Sequence, residues 1–122
     1  VARVDTTDKV VFLTIDDGLH RDPRVPQFLA DHDIPASLFL VRGPLLEDPE
    51  YFRSFLASGS TINSHTLNHP DLADLGYERQ RSEICGMVDL IRDTYGTSGR
   101  LVRPPYGSSN ADTRRAAAAC GL

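Results

Sequence analysis

The sequence predicts an α/β fold in which parallel strands alternate with crossover helices. Three observations lead there. Short apolar runs recur at Val10–Ile15 (VVFLTI) and Ala36–Val41 (ASLFLV), continuous rather than alternating, as expected of strands buried on both faces. Longer segments with apolar residues at helical spacing separate the runs, most plainly Tyr77–Tyr95. Proline and glycine stand at the joins where helices start and stop. A chain of 122 residues, 40% hydrophobic and 25% charged, has enough apolar surface for one domain, residues 1–122, around one core.

The elements follow in order. After the first strand, Asp22 and Pro23 read as the N-cap and first position of a helix that reaches about His32. Ala36–Val41 is the second strand. Asp48 and Pro49 repeat the cap-and-proline signal for a helix carrying Phe52, Phe55 and Leu56, and Gly59 stops it. A brief strand covers Thr61 to Asn63. The helix Tyr77–Tyr95 turns Ile84, Met87, Val88 and Ile91 to one side and ends at Gly96. Leu101 and Val102 make a short strand before the turn-forming RPPYGSSN, and an alanine-rich helix runs from Asn110 to Cys120. Cys85 and Cys120 fit neither a zinc knuckle nor a disulfide framework, and free buried thiols are expected.

Charge and length exclude some partners. A formal net charge of −4 with dispersed arginines leaves no basic face for nucleic acid and suits a neutral or mildly cationic ligand. No apolar run is long enough for a transmembrane segment, and Val1–Val10 has no signal-peptide pattern.

Ligands of parallel α/β folds gather at the carboxyl ends of the strands. Asp16 and Asp17 follow one strand, His65 another, and Arg103 and Tyr106 a third, so three polar clusters fall on one rim. Adjacent carboxylates in TIDDG repel unless a cation or proton sits beside them, though the same residues would serve a helix-capping loop. In SHTLNHP, His65 and His69 are four apart, a spacing that puts both imidazoles on one metal if the segment forms a helical turn; the alternative is two surface histidines. Imidazole and carboxylate suit zinc and its first-row neighbours. His20 and His32 have no such partner and read as loop and helix-end residues. In RPPYG, paired prolines stiffen a loop that can aim a backbone N–H, and Arg103 can hold a carboxylate through a bidentate bond; a surface arginine beside a turn is the plainer reading.

In this order, TIDDG, HTLNHP and RPPYG resemble the motifs T-F-D-D-G, H-[ST]-x-x-H-P and R-x-P-[YF]-G of the polysaccharide deacetylases (carbohydrate esterase family 4). IPASLFLVRG resembles the family's second core strand, and the resemblance covers nearly the whole chain. It implies a distorted (β/α) barrel and a metal-dependent hydrolase that removes N-acetyl groups from a glycan such as chitin or peptidoglycan. Asp17, His65 and His69 would hold the metal, zinc first, with cobalt or another first-row ion as the alternative. Asp16 would be the general base, Arg103 would orient it, the backbone N–H of Tyr106 would bind the oxyanion, and Thr66 would hold the metal-binding loop by hydrogen bonds. Three protein ligands leave a coordination position open for water, the mark of a catalytic site. An acetylated glycan as partner and an extracellular or cell-envelope location follow from the same resemblance.

The sequence departs from the family twice. Ile15 stands where phenylalanine is usual, a change in packing more than in chemistry. Beyond RPPYG, the family's D-x-x-D-W and leucine-x-histidine motifs, the latter carrying the general acid, have no counterpart, and no histidine follows His69. Closed eight-stranded α/β barrels usually take about 250 residues. The expectation is therefore the N-terminal part of a catalytic domain, truncated before its last strands, with an unpaired sheet edge at Leu101, exposed apolar surface, marginal stability and poor catalysis. The alternatives are an O-acetyl xylan esterase, a non-catalytic metal-containing sugar-binding relic and, less well supported because no phosphate cradle is visible, a phosphoryl hydrolase.

Overall fold

The computed structural model describes residues 5–97 and 99–122; Val1–Val4, part of the stretch read for a leader, lie outside the described residues. Strand β2 (Ala36–Leu40) organises the rest. Four of its five residues are buried, Ala36, Leu38, Phe39 and Leu40, so both of its faces need cover, and it lies in the middle of the sheet. β1 (Leu13–Asp17) and β3 (Thr61–Ser64) flank it in the order β1-β2-β3, both parallel to it. Crossovers make that possible: α1 (Arg24–Asp31) links β1 to β2, while α2 (Arg42–Glu47) and α3 (Pro49–Arg53) link β2 to β3. A 3-10 turn, Ser54–Ser58, prolongs α3, and Gly59 ends it at φ 75. Then come a 3-10 turn at Leu72–Asp74, the long helix α4 (Tyr77–Tyr95), another 3-10 turn at Pro105–Gly107 and α5 (Ala111–Ala119).

Caps explain several boundaries. Asp48 accepts from the Tyr51 N–H with Pro49 at the first helical position, as predicted. Asn110 and Thr113 form a reciprocal capping box at the start of α5. Gly96 closes α4 in the left-handed region at φ 73. At α1 the prediction is one residue early: Pro23 is the cap, and Asp22 accepts from Arg24. The hydrogen bonds from Arg24 hold the Asp22 carboxyl down at about 2.

Leu38, Leu40, Ile62, Phe52, Phe55, Met87 and Ile91 form the main core. A smaller one, Leu72, Ile84 and Ala116, lies where α4 meets α5. Tyr95 sits at the margin of the main core, where its hydroxyl donates to the Pro49 carbonyl and burial pushes its phenol up to about 12.

Three expectations need correction. The first apolar run is not buried on both faces: β1 starts at Leu13, and Val10, Val11, Phe12 and Leu13 are exposed, Val11 at 94%. Among the described residues β1 has a strand on one side only, so its apolar side chains lack the cover that β2 receives. The predicted strand at Leu101 shrinks to one parallel bridge between Ser64 and Val102; Leu101 is exposed as expected, but the larger exposed apolar surface is on the β1 side. Finally, the cysteines are not free. Cys85 and Cys120 form a disulfide, their Cα atoms 5.1 Å apart, because α4 and α5 pack against each other and α5 ends beside Cys85.

A cross-link between residues 35 apart removes unfolded-chain entropy on the order of 3–4 kcal/mol. Reduction, or Cys85→Ser with Cys120→Ser, is expected to lower the free energy of unfolding in urea by about that much; a loss below 1 kcal/mol would mean that the helix packing alone fixes α5.

Candidate active site

Sheet register assembles the site. Asp17 is aligned with Leu40, Leu40 with Ser64, and Ser64 with Val102, so one row of residues crosses the sheet at the carboxyl ends of its strands. His65 and Arg103 are the residues immediately past that row. All six residues singled out in the sequence, Asp16, Asp17, His65, His69, Arg103 and Tyr106, line one pocket of about 460 Å³, together with Pro104 and Gly107.

The chain turns abruptly after β1. Asp17 and Gly18 are both left-handed, at φ 65 and 85. A Cβ on Gly18 would lie 2.7 Å from Phe52 Cζ and 3.0 Å from Leu40 Cδ2, so only glycine lets the backbone pass this close to the core. The turn leaves Asp17 Oδ1 3.5 Å from His65 Nε2 and 3.4 Å from His69 Nε2. The ligand atoms of the three side chains lie within 4.8 Å of one another.

Asp17 Oδ1 is buried and has no hydrogen-bond partner among the described residues. Burying a carboxylate oxygen unsatisfied costs on the order of 1–3 kcal/mol or more, and a cation among the three donors removes that cost. The tautomer of His65 agrees. Its Nδ1 lies 2.6 Å from the Arg103 carbonyl, which can only accept, so Nδ1 carries a proton and Nε2, the nitrogen that faces Asp17, is the one placed to ligate. His69 Nδ1 is 3.2 Å from the Tyr106 hydroxyl. One carboxylate and two imidazoles fit a divalent first-row ion.

The histidines do not meet on a helical turn, as the spacing suggested. Residues 65–70 are irregular, with Thr66 at φ 73 and His69 at φ 57. Left-handed backbone at non-glycine residues costs on the order of 1–3 kcal/mol each, so the loop needs other restraints. Thr66 supplies one: it is fully buried, and its Oγ1 accepts from the His69 N–H at 3.1 Å.

Alternation along β1 sends the two adjacent carboxylates to different places. Thr14 and Asp16 share a face, and Arg103 Nη1 donates to both, at 3.1 Å and 2.6 Å. One guanidinium nitrogen makes both bonds, so the contact is not the bidentate fork expected. The Arg103 guanidinium lies 4.1 Å over the ring of Phe39, the residue aligned with Asp16 on β2. Tyr106 is left-handed at φ 59, and its exposed ring packs edge-on against His69. Thr14 and Phe39 were overlooked in the sequence; Thr14, two residues before Asp16, could have been found from strand alternation. His20 is an exposed loop residue and His32 bonds to Phe28 at the end of α1, both as read.

Residues 3–122 match the family described as polysaccharide deacetylase. The chain belongs to that family. It is 42% identical to an uncharacterized protein of Streptomyces coelicolor, over all of this chain and 49% of the relative. It is 34% identical to chitin deacetylase 1 of Cryptococcus neoformans, over 98% of this chain and 26% of that protein. A family 4 carbohydrate esterase from Streptomyces lividans, solved with acetate, superposes with a TM-score of 0.80 at 29% identity, covering 92% of this chain and 59% of the esterase. The chain thus spans about half or less of the curated relatives named here. Its three parallel strands and their helices are a partial barrel of the family's type.

Thr66→Val keeps the shape of the side chain but leaves the His69 N–H without its acceptor. A loss of about 1–2 kcal/mol in urea unfolding is expected; an unchanged midpoint would show that water serves that N–H equally well.

Proposed function

We propose that residues 1–122 carry the metal-binding and base-bearing part of a carbohydrate deacetylase that hydrolyses N-acetyl groups on a chitin-like or peptidoglycan glycan. The observation that carries this reading is the unpartnered Asp17 Oδ1 facing two imidazole Nε2 atoms, with Asp16 held beside it by Arg103. The chitin and peptidoglycan deacetylases among the relatives support the substrate class. Asp17, His65 and His69 would hold the ion, zinc first and cobalt second. Bound there, it supplies Lewis acidity toward the acyl carbonyl and toward water.

The chain's own residues do the rest. Asp16 accepts the proton that the attacking water gives up, and the Arg103 bond keeps that carboxylate turned to the pocket. The backbone N–H of Tyr106 donates to the oxyanion formed as the acyl carbon becomes tetrahedral. Collapse breaks the C–N bond, the proton that Asp16 took from water passing to the leaving nitrogen, and yields acetate and an amine. An O-acetyl ester would be cleaved by the same groups, which keeps a xylan esterase as the second reading. The Cys85–Cys120 disulfide supports an extracellular or envelope location, where such bonds persist, and no described helix is long and apolar enough to cross a membrane.

Acetate release from an N-acetylglucosamine oligomer with added zinc or cobalt tests the reading. Release should stop on chelation, and Asp16→Asn should lower it by roughly 10²–10⁴-fold while zinc binding persists. Asp17→Ala should abolish tight zinc binding in calorimetry. Release indifferent to Asp16→Asn would sink the assignment of the base, and a zinc-loaded protein that binds the oligomer without releasing acetate would favour a sugar-binding relic.

A further inference from the structure

We propose that Glu83, on α4 and outside the pocket, is a positioning residue that sets the place of His69 by clamping the loop between the two histidines; the inference rests on the metal-site reading above. Both carboxylate oxygens of Glu83 are engaged by one residue. Oε2 accepts from the Asn68 backbone N–H at 2.9 Å, and Oε1 accepts from Asn68 Nδ2 at 2.7 Å. Asn68 directly precedes His69. The Glu83 carbonyl also accepts from the Leu67 N–H at 3.2 Å, so this residue of α4 takes three hydrogen bonds from two consecutive loop residues.

The far side of the loop is held as well. Arg42, at the start of α2, donates from Nη2 to Asn68 Oδ1 at 2.6 Å and from its backbone N–H to the Leu67 carbonyl at 3.2 Å. Leu67 lies tight on α4, where a Cβ on Gly86 would come within 2.7 Å of Leu67 Cδ1. Neither Leu67 nor Asn68 lines the pocket. Their contacts point away from it and onto the helices, while Thr66 and His69 on either side are left-handed.

That arrangement assigns the work. Thr66 closes the loop from inside, through its bond to the His69 N–H. It does not fix where the closed loop stands relative to Asp17, because Thr66 and His69 belong to the same loop. Glu83 does, since α4 packs on the core through Ile84, Met87 and Ile91. Two bonds to an ionised acceptor are stronger and more directional than neutral ones. Asn68 is exposed, so water can replace Glu83 as its partner. Losing the clamp should therefore cost position more than stability.

The test compares Glu83→Ala, Glu83→Gln and Asn68→Ala with the unsubstituted protein. Amide hydrogen exchange is measured without metal, and zinc binding by calorimetry. In Glu83→Ala, exchange at Asn68 and His69 should quicken about tenfold or more with β2 and β3 unaffected. Zinc affinity should fall on the order of 10–100-fold, as for other residues that orient metal ligands. Glu83→Gln, which keeps an acceptor for the Asn68 N–H, should recover most of both. Asn68→Ala leaves α4 untouched and keeps the backbone bond to Glu83 while losing the side-chain one, so it should loosen His69 measurably but less than Glu83→Ala, and it guards against a defect in the helix itself. Unchanged exchange at Asn68 and His69 in Glu83→Ala and Asn68→Ala would overturn the proposal, whatever happens to zinc affinity. If the unsubstituted protein binds no zinc, the metal reading fails, and the exchange data alone decide whether Glu83 holds the loop.

Discussion

The position of β2 is the constraint on which the site depends. With Ala36, Leu38 and Leu40 on one face and Phe39 on the other all buried, the strand has to be flanked on both edges and covered on both faces. Its neighbours are parallel to it, and their register is fixed by which residues face the helices. A slip of one residue would turn Ile15 away from the core it packs against and Asp16 away from Arg103. Fixing the register for the sake of the core thus also fixes the row Asp17–Leu40–Ser64–Val102, and the polar residues at and beyond that row have one rim to occupy. The site is a by-product of packing in its position and a departure from packing in its contents.

Two adjacent carboxylates then acquire different chemistry without any difference in residue type. Asp16 has a guanidinium 2.6 Å away, on the face it shares with Thr14. Among the described residues Asp17 pairs with no arginine or lysine, only with two imidazoles at distances too long for good hydrogen bonds. The Asp16–Arg103 pair is partly exposed on both sides, and such pairs contribute about 0–1 kcal/mol to stability. Its value lies in orientation, and it leaves Asp17 as the carboxylate with an unfilled demand for positive charge. That asymmetry separates the two carboxylates more sharply than either residue's place in the sequence does.

What could be read from the sequence was whatever local pattern decides. α4 runs from Tyr77 to Tyr95 as predicted, because a full apolar stripe and a terminal glycine leave little for tertiary context to change. That the six polar residues share one pocket was legible because they lie at or shortly after the carboxyl ends of β1, β3 and the bridge at Val102. Reading failed where the answer depends on partners distant in the chain. An apolar run announces a strand, yet the cover over β1 is set by its neighbours, not by its own residues. Cys85 and Cys120 meet only because two helices pack, and no spacing rule carries that information. α2 has no signal in the sequence reading, since its six residues are too few to show a helical stripe; Pro44 is tolerated in its first turn because the N–H it lacks has no intrahelical partner there. The two histidines do converge, but not as expected: spacing suggested a helical turn, and a left-handed loop brings both Nε2 atoms to Asp17.

Backbone strain marks the same place as the side chains. Five non-glycine residues among those described have positive φ, and four of them, Asp17, Thr66, His69 and Tyr106, line or border the pocket. Thr66 is β-branched, the kind of residue least suited to that conformation. Local preference would relax all four, so the folded scaffold must hold them. Gly18 is wedged against Phe52, Thr66 is buried and bonded, and the prolines of RPPYG restrict the chain before Tyr106. Each restraint acts on a strained residue beside the pocket, two of them just past the ends of β1 and β3 and the third just past the bridge at Val102. Strain held from three directions toward one pocket is what preorganised donor atoms require, since a loop free to relax would separate His69 from Asp17 before any ligand arrived.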